Sequence, residues 1–271
     1  MKESILPMAT YSAKFVYTVT NRQKLVDQAV RSIKSLLNFV DKEDIIVFYT
    51  PPRSRRNLRK LSKVATVIEA PNLTKPFVFT EKRGASRYGE KIHLCDIDCS
   101  NVIFLDADTI VKKNILNLLN GKYDLSARIG QPLNKQMNKE IWQQMFTERG
   151  KDPIPIPNTG FLIFKNYCHK KIKQEWLQYI NDDDLPNPHP VNNLKDQYAL
   201  ALAISGKQIR WMTKYEHAYR WLNEEKTDTF VLHGTENPPL HRIKRLIKTI
   251  ERSRFKFMSK KRYYQYQYLM R

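Results

Sequence analysis

Residues 102–111 read VIFLDADTIV, an apolar run followed at once by the carboxylates of Asp106 and Asp108. An apolar run that ends in a polar turn indicates a buried strand, with Asp106 at its carboxyl end. Two carboxylates on one tight turn can meet the same hard cation, and Mg²⁺ and Mn²⁺ both accept oxygen ligands. The stretch predicts a metal site at the end of a core strand, although D-x-D alone is also a common surface turn.

Strands and helices are predicted to alternate on both sides of this stretch. Apolar and β-branched runs predict strands at 13–20, 44–50, 64–70, 123–127 and 161–164, with 211–219 and 230–233 completing the sheet region. Apolar residues at helical spacing, or a basic surface run, predict helices at 25–37, 53–63, 81–94, 115–119, 141–146, 172–180 and 197–204. The alternation predicts an α/β fold with a mostly parallel central sheet, right-handed crossovers and flanking helices.

Further polar residues follow the predicted strands. Ligands of such sheets bind outside the carboxyl ends of the strands, where we expect Thr18, Thr20 and Asp106. His233 follows the apolar run at 230–232 and precedes Gly234, so it also lies at a strand end. An imidazole can complete the coordination of an ion such as Mn²⁺, but a lone histidine is more often structural, and the sequence contains six.

The segment Asn158-Thr159-Gly160 precedes the apolar run at 161–164. The prolines at 153, 155 and 157 predict an extended loop just before it. Asn158 would offer a carboxamide to a polar ligand there, and Gly160 would permit a close backbone approach. An ordinary turn before a strand explains the same pattern.

A second polar pair, Asp196-Gln197, opens the helix predicted at 197–204. An aspartate at this place is ordinarily interpreted as an N-cap, which satisfies free backbone N–H groups of the first turn. The same helix end could instead present both side chains to a sugar.

Length and composition bound the class of protein. The chain has 271 residues, 41% of them apolar, which is enough for one large α/β domain with its own core. No stretch approaches the roughly 20 apolar residues that cross a bilayer, and no leader pattern is present, so we expect a cytoplasmic protein. The three cysteines, Cys95, Cys99 and Cys168, are expected to be small buried hydrophobes rather than disulfides or zinc ligands.

The net charge is +20, and the segment from Leu240 to Arg271 supplies half of it, with eleven Lys and Arg against one acid. Basic residues alternate there with an apolar stripe and are followed by aromatic residues, which suits an anionic membrane interface. A solvated helix packed on the domain is the alternative. We therefore divide the chain into a domain at 1–239 and a basic, aromatic tail at 240–271.

Taken in order, these segments resemble the glycogenin-like and lipopolysaccharide galactosyltransferase-like retaining glycosyltransferases of glycosyltransferase family 8, which share the GT-A fold. The resemblance runs from about Phe15 to His233. It is firmest from Lys82-Arg83 through EKIHL at 90–94, and then over VIFLDADTIV at 102–111. The resemblance implies a hexosyltransferase that uses a UDP-sugar donor, a Mn²⁺ or Mg²⁺ ion, and a glycan, lipid-linked or protein acceptor.

The resemblance also implies a role for each matching residue. Asp106, Asp108 and His233 would bind the metal, and Lys91 would lie near the donor sugar or diphosphate. The remaining donor contacts would come from Thr18 and Thr20 near the uracil nucleoside, from Ala107 and Gly234 beside the metal ligands, and from Asn158 and Gly160. Asp196 would orient sugar hydroxyls, and the Gln197 amide would face the anomeric carbon.

The sequence departs from the family pattern at two places. The family often has an acid three residues before its Asp-Gln pair, where this chain has Asn193. After the metal-binding histidine the family usually has a glycine and a lysine, whereas residues 234–239 read GTENPP. Phosphate contacts would then come from Arg242, Lys244 or another loop.

Two other classes of function are open at this level. A charge of +20 with interleaved aromatic residues is an electrostatic footprint of nucleic-acid binding, although no recognisable binding motif accompanies it. A sugar nucleotidyltransferase is also α/β and metal-dependent. That class is expected to have a glycine-rich phosphate loop after the first strand, but the sequence after Thr20 reads NRQKLVDQ.

Overall fold

The computed structural model describes residues 12–20, 22–80, 84–130, 137–189 and 193–234. The strands are β1 Lys14–Thr20, β2 Ile45–Thr50, β3 Thr66–Glu69, β4 Phe77–Thr80, β5 Gly84–Ser86, β6 Val102–Leu105, β7 Thr109–Val111, β8 Leu125–Ile129, β9 Pro157–Phe164, β10 Ile209–Trp211, β11 His217–Tyr219 and β12 Val231–His233. The α-helices are α1 Gln23–Leu36, α2 Arg55–Ser62, α3 Lys139–Thr147, α4 Cys168–Asn181 and α5 Lys195–Ile204. 3₁₀ helices span Lys42–Asp44, Tyr88–Asp96, Ile115–Leu119 and Arg220–Leu222.

Seven strands form the central sheet of this described part, in the order β10-β8-β9-β6-β1-β2-β3. β6, β1, β2 and β3 are parallel neighbours, and so are β10 and β8. β9 runs antiparallel to both of its neighbours, β6 and β8. The predicted α/β fold with a mostly parallel sheet is confirmed.

Alternating side chains of the central strands build one hydrophobic core on each face of the sheet. Val16 and Phe104 point into the core that includes α3, α4 and α5, whereas Tyr17 and Ile103 point into the core that includes α1 and α2. A strand buried on both faces reads as a continuous apolar run, which is why 102–105 contains no polar residue. The sheet is therefore the middle of three layers.

Two small sheets accompany the central one. β11, β12 and β7 form a three-stranded sheet, in which β12 pairs antiparallel with β7 and places His233 opposite Thr109. β4 and β5 form an antiparallel pair. The three-stranded sheet begins where β6 ends, so it meets the central sheet at the aspartate turn.

The helix predicted at 81–94 is wrong. Gly84–Ser86 is strand β5, and the helical part is the 3₁₀ helix from Tyr88 to Asp96. Gly89 lies within this 3₁₀ helix. A Cβ there would lie 2.6 Å from Ile180 Cδ1, so the packing leaves no room for a side chain at this position. Tertiary packing has outweighed the local preference for a regular helix.

Two other predicted boundaries need correction. Asn158 and Gly160 do not precede the strand but lie inside it, since β9 begins at Pro157 and Arg128 of β8 pairs with Asn158. A proline is tolerated there because the first residue of a strand need not donate a ladder hydrogen bond. The strand predicted at 211–219 is two strands, β10 in the central sheet and β11 in the small one.

The three cysteines are free and buried, as predicted. None of the helices in the described ranges combines the length and apolar character needed to span a bilayer. Lys82-Arg83, the domain boundary predicted at 239 and the tail at 240–271 lie outside the described residues.

A buried ion pair fixes the loop at 71–74 to the 3₁₀ helix 88–96. Glu90, fully buried, accepts hydrogen bonds from the backbone N–H groups of Leu73 (2.9 Å) and Thr74 (3.0 Å) and from the Thr74 hydroxyl (2.7 Å). His93 Nε2 lies 3.4 Å from the Glu90 carboxylate. Burial opposes both charges, but these contacts lower the pKa of Glu90 and raise the pKa of His93.

We predict that the stabilisation contributed by His93 depends on pH. The pKa of His93 is raised in the folded state, so its charged imidazole stabilises the fold fully when the pH is below the ordinary pKa of 6.5. That stabilisation is lost as pH rises through the raised pKa. The free energy of unfolding of the wild type should therefore exceed that of His93→Gln by about 1–3 kcal/mol in mildly acidic buffer, and by less in alkaline buffer. Urea unfolding at a series of pH values measures the difference.

His169→Gln is the matched control. His169 is also buried, but burial lowers its pKa, so its contribution has the opposite sign and is lost as pH falls. Parallel pH profiles for the two variants would contradict the assignment of a charged Glu90–His93 pair.

Candidate metal centre and its surroundings

Asp106, Asp108 and His233 converge on one point. His233 Nε2 lies 3.3 Å from Asp108 Oδ1 and 3.6 Å from Asp106 Oδ2. One ligand atom from each of the three residues lies within 4.8 Å of the other two. Two carboxylates and one imidazole form a donor set that suits Mn²⁺ or Mg²⁺. His233 is more than 120 positions from the two aspartates, and the convergence that we expected from their strand ends is present.

The backbone fixes the turn that carries the two aspartates. Asp106 N donates to Gly160 O (2.8 Å) on β9, and Thr109 N donates to Asp106 O (3.1 Å) across the turn. The Thr109 hydroxyl also donates to Asp106 O (2.8 Å) and lies 2.8 Å from Ser32 Oγ on α1. Gly234 N donates to Asp108 O (3.1 Å), which ties the end of β12 to the same turn.

Gly160 leaves the space that His233 occupies. A Cβ at this position would lie 2.0 Å from His233 Cε1 and 2.5 Å from Nδ1, far inside van der Waals contact. The close approach expected at Gly160 is thus made by a side chain of the protein itself. Asn158 Oδ1 accepts a hydrogen bond from Gly160 N (2.9 Å) and holds this part of β9.

A second histidine orients the first. His217 Nε2 lies 3.2 Å from His233 Nδ1, and the two rings stack with their centroids 5.3 Å apart. Burial lowers the pKa of His217 well below its usual value, so His217 is neutral. His233 can therefore direct Nδ1–H to His217 and leave Nε2 for a metal, the arrangement usual for metal-bound histidine.

A stack of basic and aromatic side chains also contacts His233. The Arg128 guanidinium lies 4.0 Å from the Tyr219 ring, and Tyr219 stacks on Trp221 with centroids 4.6 Å apart. Trp221 meets His233 edge to face at 5.3 Å and is 53% exposed. Arg128 is held in turn by two hydrogen bonds to Glu224, of 2.5 and 2.8 Å.

Lys91 joins the metal cluster to Asp196. Its Nζ lies 3.2 Å from Asp106 Oδ1, 3.3 Å from Asp196 Oδ2 and 2.8 Å from Thr159 Oγ1. The Thr159 hydroxyl donates to Asp196 Oδ2 at 2.7 Å. Asp196 is the second residue of α5 and its side chain points to Lys91 and Thr159, so the N-cap interpretation is wrong.

The shifts in pKa follow from burial and from these contacts. Burial raises the pKa of Asp106, although Lys91 and His233 oppose the rise. For Asp108 and Lys91, burial also opposes the charge but is outweighed. The hydrogen bond from His233 lowers the pKa of Asp108, and Asp106 and Asp196 raise the pKa of Lys91. The ammonium of Lys91 is therefore kept charged beside the cluster.

The remaining predicted residues are Thr18, Thr20, Gln197 and Ala107. Thr18 and Thr20 lie near the end of β1, and Thr18 Oγ1 is 3.4 Å from the carbonyl oxygen of Glu90, the neighbour of Lys91. Gln197 is buried, and its Oε1 has no hydrogen-bond partner among the described residues. Ala107 is half-buried in the aspartate turn.

Sequence reasoning missed Thr159, His217 and Trp221. Neighbouring residues of a strand point to opposite faces, so the emphasis on Asn158 and Gly160 passed over the hydroxyl between them. The only sequence signal for Thr159 is its place inside that polar triplet. His217 and Trp221 had no distinguishing pattern, since their roles arise from packing against His233.

Solved structures with a similar fold are numerous. The chain matches WbbM, a bifunctional glycosyltransferase, at a TM-score of 0.60 and 14% identity over 87% of this chain, and it spans 48% of the WbbM chain. It matches the galactosyltransferase LgtC, solved with donor and acceptor sugar analogs, at 0.56 and 15% identity over 83% of this chain and 87% of LgtC. The glycosyltransferase GlyE from Streptococcus pneumoniae matches at 0.54 and 12% identity, over 83% of this chain and 56% of GlyE.

The chain has the GT-A fold. The fold expected from the family resemblance is thereby confirmed. No protein-family model matches the chain, and no curated protein sequence matches it significantly. At these identities the likeness concerns the GT-A fold and not the reaction.

We predict that Gly160→Ala weakens divalent-metal binding at least about tenfold, because the added methyl group forces His233 away from the aspartates. Titration calorimetry of the full-length chain with Mn²⁺ measures the affinity. Thermal unfolding is recorded in parallel, to separate a local displacement from loss of the fold.

The double variant Gly160→Ala, His233→Ala is the control for this mechanism. If the methyl group acts through His233, the double variant should bind Mn²⁺ no more weakly than His233→Ala alone. Wild-type affinity in Gly160→Ala, or additive losses in the double variant, would contradict the steric explanation.

Proposed function

We propose that the protein is a metal-dependent glycosyltransferase that moves a hexose from a UDP-sugar to a glycan, lipid-linked or protein acceptor with retention of configuration. The observation that carries the proposal is the convergence of Asp106, Asp108 and His233 at the carboxyl end of β6 in a GT-A fold. The similar structures named above are glycosyltransferases, which supports the same class of reaction. We further propose that the catalytic domain is 1–239 and that the tail at 240–271 contacts an anionic membrane.

The donor set fits a divalent ion with oxygen and imidazole ligands, and we assign Mn²⁺ or Mg²⁺ to Asp106, Asp108 and His233. Such an ion would neutralise negative charge on the leaving diphosphate. The hydrogen bond that His233 Nδ1–H donates to His217 and the space above Gly160 hold His233 in the orientation that this role requires.

Lys91 is proposed to bind the donor diphosphate beside the metal. Its ammonium is buried, charged and within 3.3 Å of both Asp106 and Asp196. A fixed positive charge in a site sheltered from water stabilises developing negative charge without having to reorganise. Lys91 can therefore supply part of the stabilisation that would otherwise come from a lysine directly after His233, which residues 234–239 lack.

Asp196 and Gln197 are proposed to hold the transferred sugar. Asp196 accepts from Thr159 and pairs with Lys91, so its charge is engaged and it is a weak candidate for a covalent nucleophile. This arrangement supports front-face attack, with the departing diphosphate accepting the proton of the acceptor hydroxyl. The buried, unpartnered Oε1 of Gln197 is free to accept a hydrogen bond from a ligand or to face the anomeric carbon.

The nucleoside is proposed to lie at the end of β1, near Thr18 and Thr20. Both residues are at the carboxyl edge of the central sheet, where α/β folds bind their ligands. Asn158, Gly160, Ala107 and Gly234 complete the proposed donor surface around the metal. The nucleic-acid-binding and nucleotidyltransferase alternatives are not favoured by any of the similar structures.

We predict that Asp108→Asn lowers metal-dependent turnover on the order of 100-fold or more while the fold remains intact. The variant removes the carboxylate that His233 contacts at 3.3 Å and that the metal would share. The measurement is UDP release from a set of UDP-sugars with Mn²⁺, with and without added acceptor glycans, alongside circular dichroism.

Asp98→Asn is the matched control, because Asp98 is an exposed aspartate paired with Lys170 and outside the cluster. It should retain wild-type turnover. Near-normal activity in Asp108→Asn would remove the metal assignment. Binding of duplex or single-stranded nucleic acid at physiological salt, without any donor hydrolysis, would support the nucleic-acid alternative instead.

A further inference from the structure

The two helices on one face of the central sheet carry a concentration of positive charge. On α1, Lys24, Arg31 and Lys34 recur at seven- and three-residue spacings along the side opposite the buried residues Val26 and Ile33. On α2 and directly after it, Arg56, Lys60 and Lys63 form a similar stripe, with Arg55 and Arg59 beside it. We define the basic face by Arg22, Lys24, Arg31, Lys34, Arg55, Arg56, Arg59, Lys60 and Lys63.

Few acids accompany the basic face in the part of the chain that the structure describes. Asp27 is the only acid within α1 or α2, and it forms an ion pair with Lys60. Arg55, Arg56, Arg59 and Lys63 are exposed and form no ion pair with any residue of the described part of the chain. These positive charges therefore face solvent and lie close together. Spreading them over the protein surface would have lowered the electrostatic repulsion within the fold.

The two stripes lie side by side in one layer. α1 and α2 pack into the same hydrophobic core, and the Asp27–Lys60 ion pair joins their outer sides. At a rise of 1.5 Å per residue, Lys24 to Lys34 spans roughly 15 Å and Arg55 to Lys63 roughly 12 Å. Packed helices lie about 8–10 Å apart. The basic face is thus a broad, nearly flat array of cations.

The basic face adjoins the edge of the sheet that carries the candidate site. α1 follows β1 after Thr20, and α2 follows β2 after Thr50, so both helices begin at the carboxyl edge of the central sheet. A partner bound to the basic face would therefore lie beside the edge of the sheet where Thr18 and Thr20 are found.

We propose that the basic face docks the protein electrostatically on an anionic phospholipid membrane. A bilayer surface is a planar array of phosphates, and clusters of four to eight Lys and Arg on an amphipathic helix are attracted to it. The apolar sides of α1 and α2 are buried against the sheet, so the attachment rests on charge and does not involve insertion. The inference is independent of the proposed reaction and of the tail at 240–271.

The chemistry of the face favours a membrane over nucleic acid. The exposed residues of α1 and α2 include no aromatic ring, so the face has no platform on which the bases of a single strand could stack. Two helices lying in one layer also do not present a single projecting element for the major groove of a duplex.

The experiment is vesicle co-sedimentation of the full-length chain with phosphatidylcholine vesicles and with vesicles of equal parts phosphatidylcholine and phosphatidylglycerol. The test variant carries Arg55→Gln, Arg56→Gln, Arg59→Gln and Lys63→Gln. The matched control removes the same charge from exposed lysines elsewhere, by Lys122→Gln, Lys139→Gln, Lys207→Gln and Lys226→Gln. Thermal unfolding and metal-dependent donor hydrolysis are measured for all three proteins.

We expect the wild type to bind the anionic vesicles and not the neutral ones, with binding that weakens as salt rises. The basic-face variant should bind at least about tenfold more weakly, whereas the control should stay within about threefold of the wild type. Donor hydrolysis should be the same in all three, so a failure of the proposed reaction would not affect the result.

Equal loss of vesicle binding in the test variant and the control would overturn the proposal, since net charge alone would then explain attachment. Unchanged binding in the test variant, or equal binding of the wild type to neutral vesicles, would overturn it as well. Binding of RNA or duplex DNA that exceeds vesicle binding and is lost with the same four substitutions would assign the basic face to nucleic acid instead.

Discussion

The mutual repulsion of three aspartates is the constraint around which the candidate site is organised. Asp106 and Asp108 are half-buried and Asp196 is buried, so their like charges interact more strongly than they would in bulk solvent. Lys91 is the ammonium that contacts two of them. Burial opposes the charge of His233, but its contacts with Asp108 and Asp106 raise its pKa, so His233 offsets part of the repulsion that Lys91 leaves. A bound divalent cation would supply positive charge at the same place.

The fold brings these charges together at a seam between two sheets. Asp106 ends β6 of the central sheet, while His233 ends β12 of the three-stranded sheet. The turn from Asp106 to Thr109 belongs to both, since it is hydrogen-bonded to Gly160 on one side and to Gly234 on the other. Neither sheet could hold the cluster alone, so the geometry of the site depends on the packing of one sheet against the other.

The sequence predicted the parts of this arrangement that follow from local periodicity. An apolar run buried on both faces and ending in Asp-x-Asp can be interpreted as a core strand with carboxylates at its end, and the structure agrees over 102–108. His233 lies so close to Gly160 that a methyl group at this position would overlap the imidazole ring. The sequence indicated this contact only by having a glycine there. The prediction for residues 158–160 considered only Asn158 and Gly160. Thr159 was missed because alternation along β9 points its side chain to the opposite face, where it contacts Lys91. His217 and the 3₁₀ helix at 88–96 depend on contacts between residues far apart in sequence, which periodicity does not encode.

The stack of Arg128, Tyr219 and Trp221 has an optical consequence. Trp142 and Trp176 are buried in the core and Trp211 is partly buried on β10, whereas the Trp221 indole is half in solvent and touches the imidazole of the candidate metal centre. Manganese is paramagnetic and quenches indole fluorescence at short range. Mn²⁺ bound at the cluster would therefore quench Trp221 directly, so a fall in tryptophan emission would report its binding in solution with no label attached to the protein.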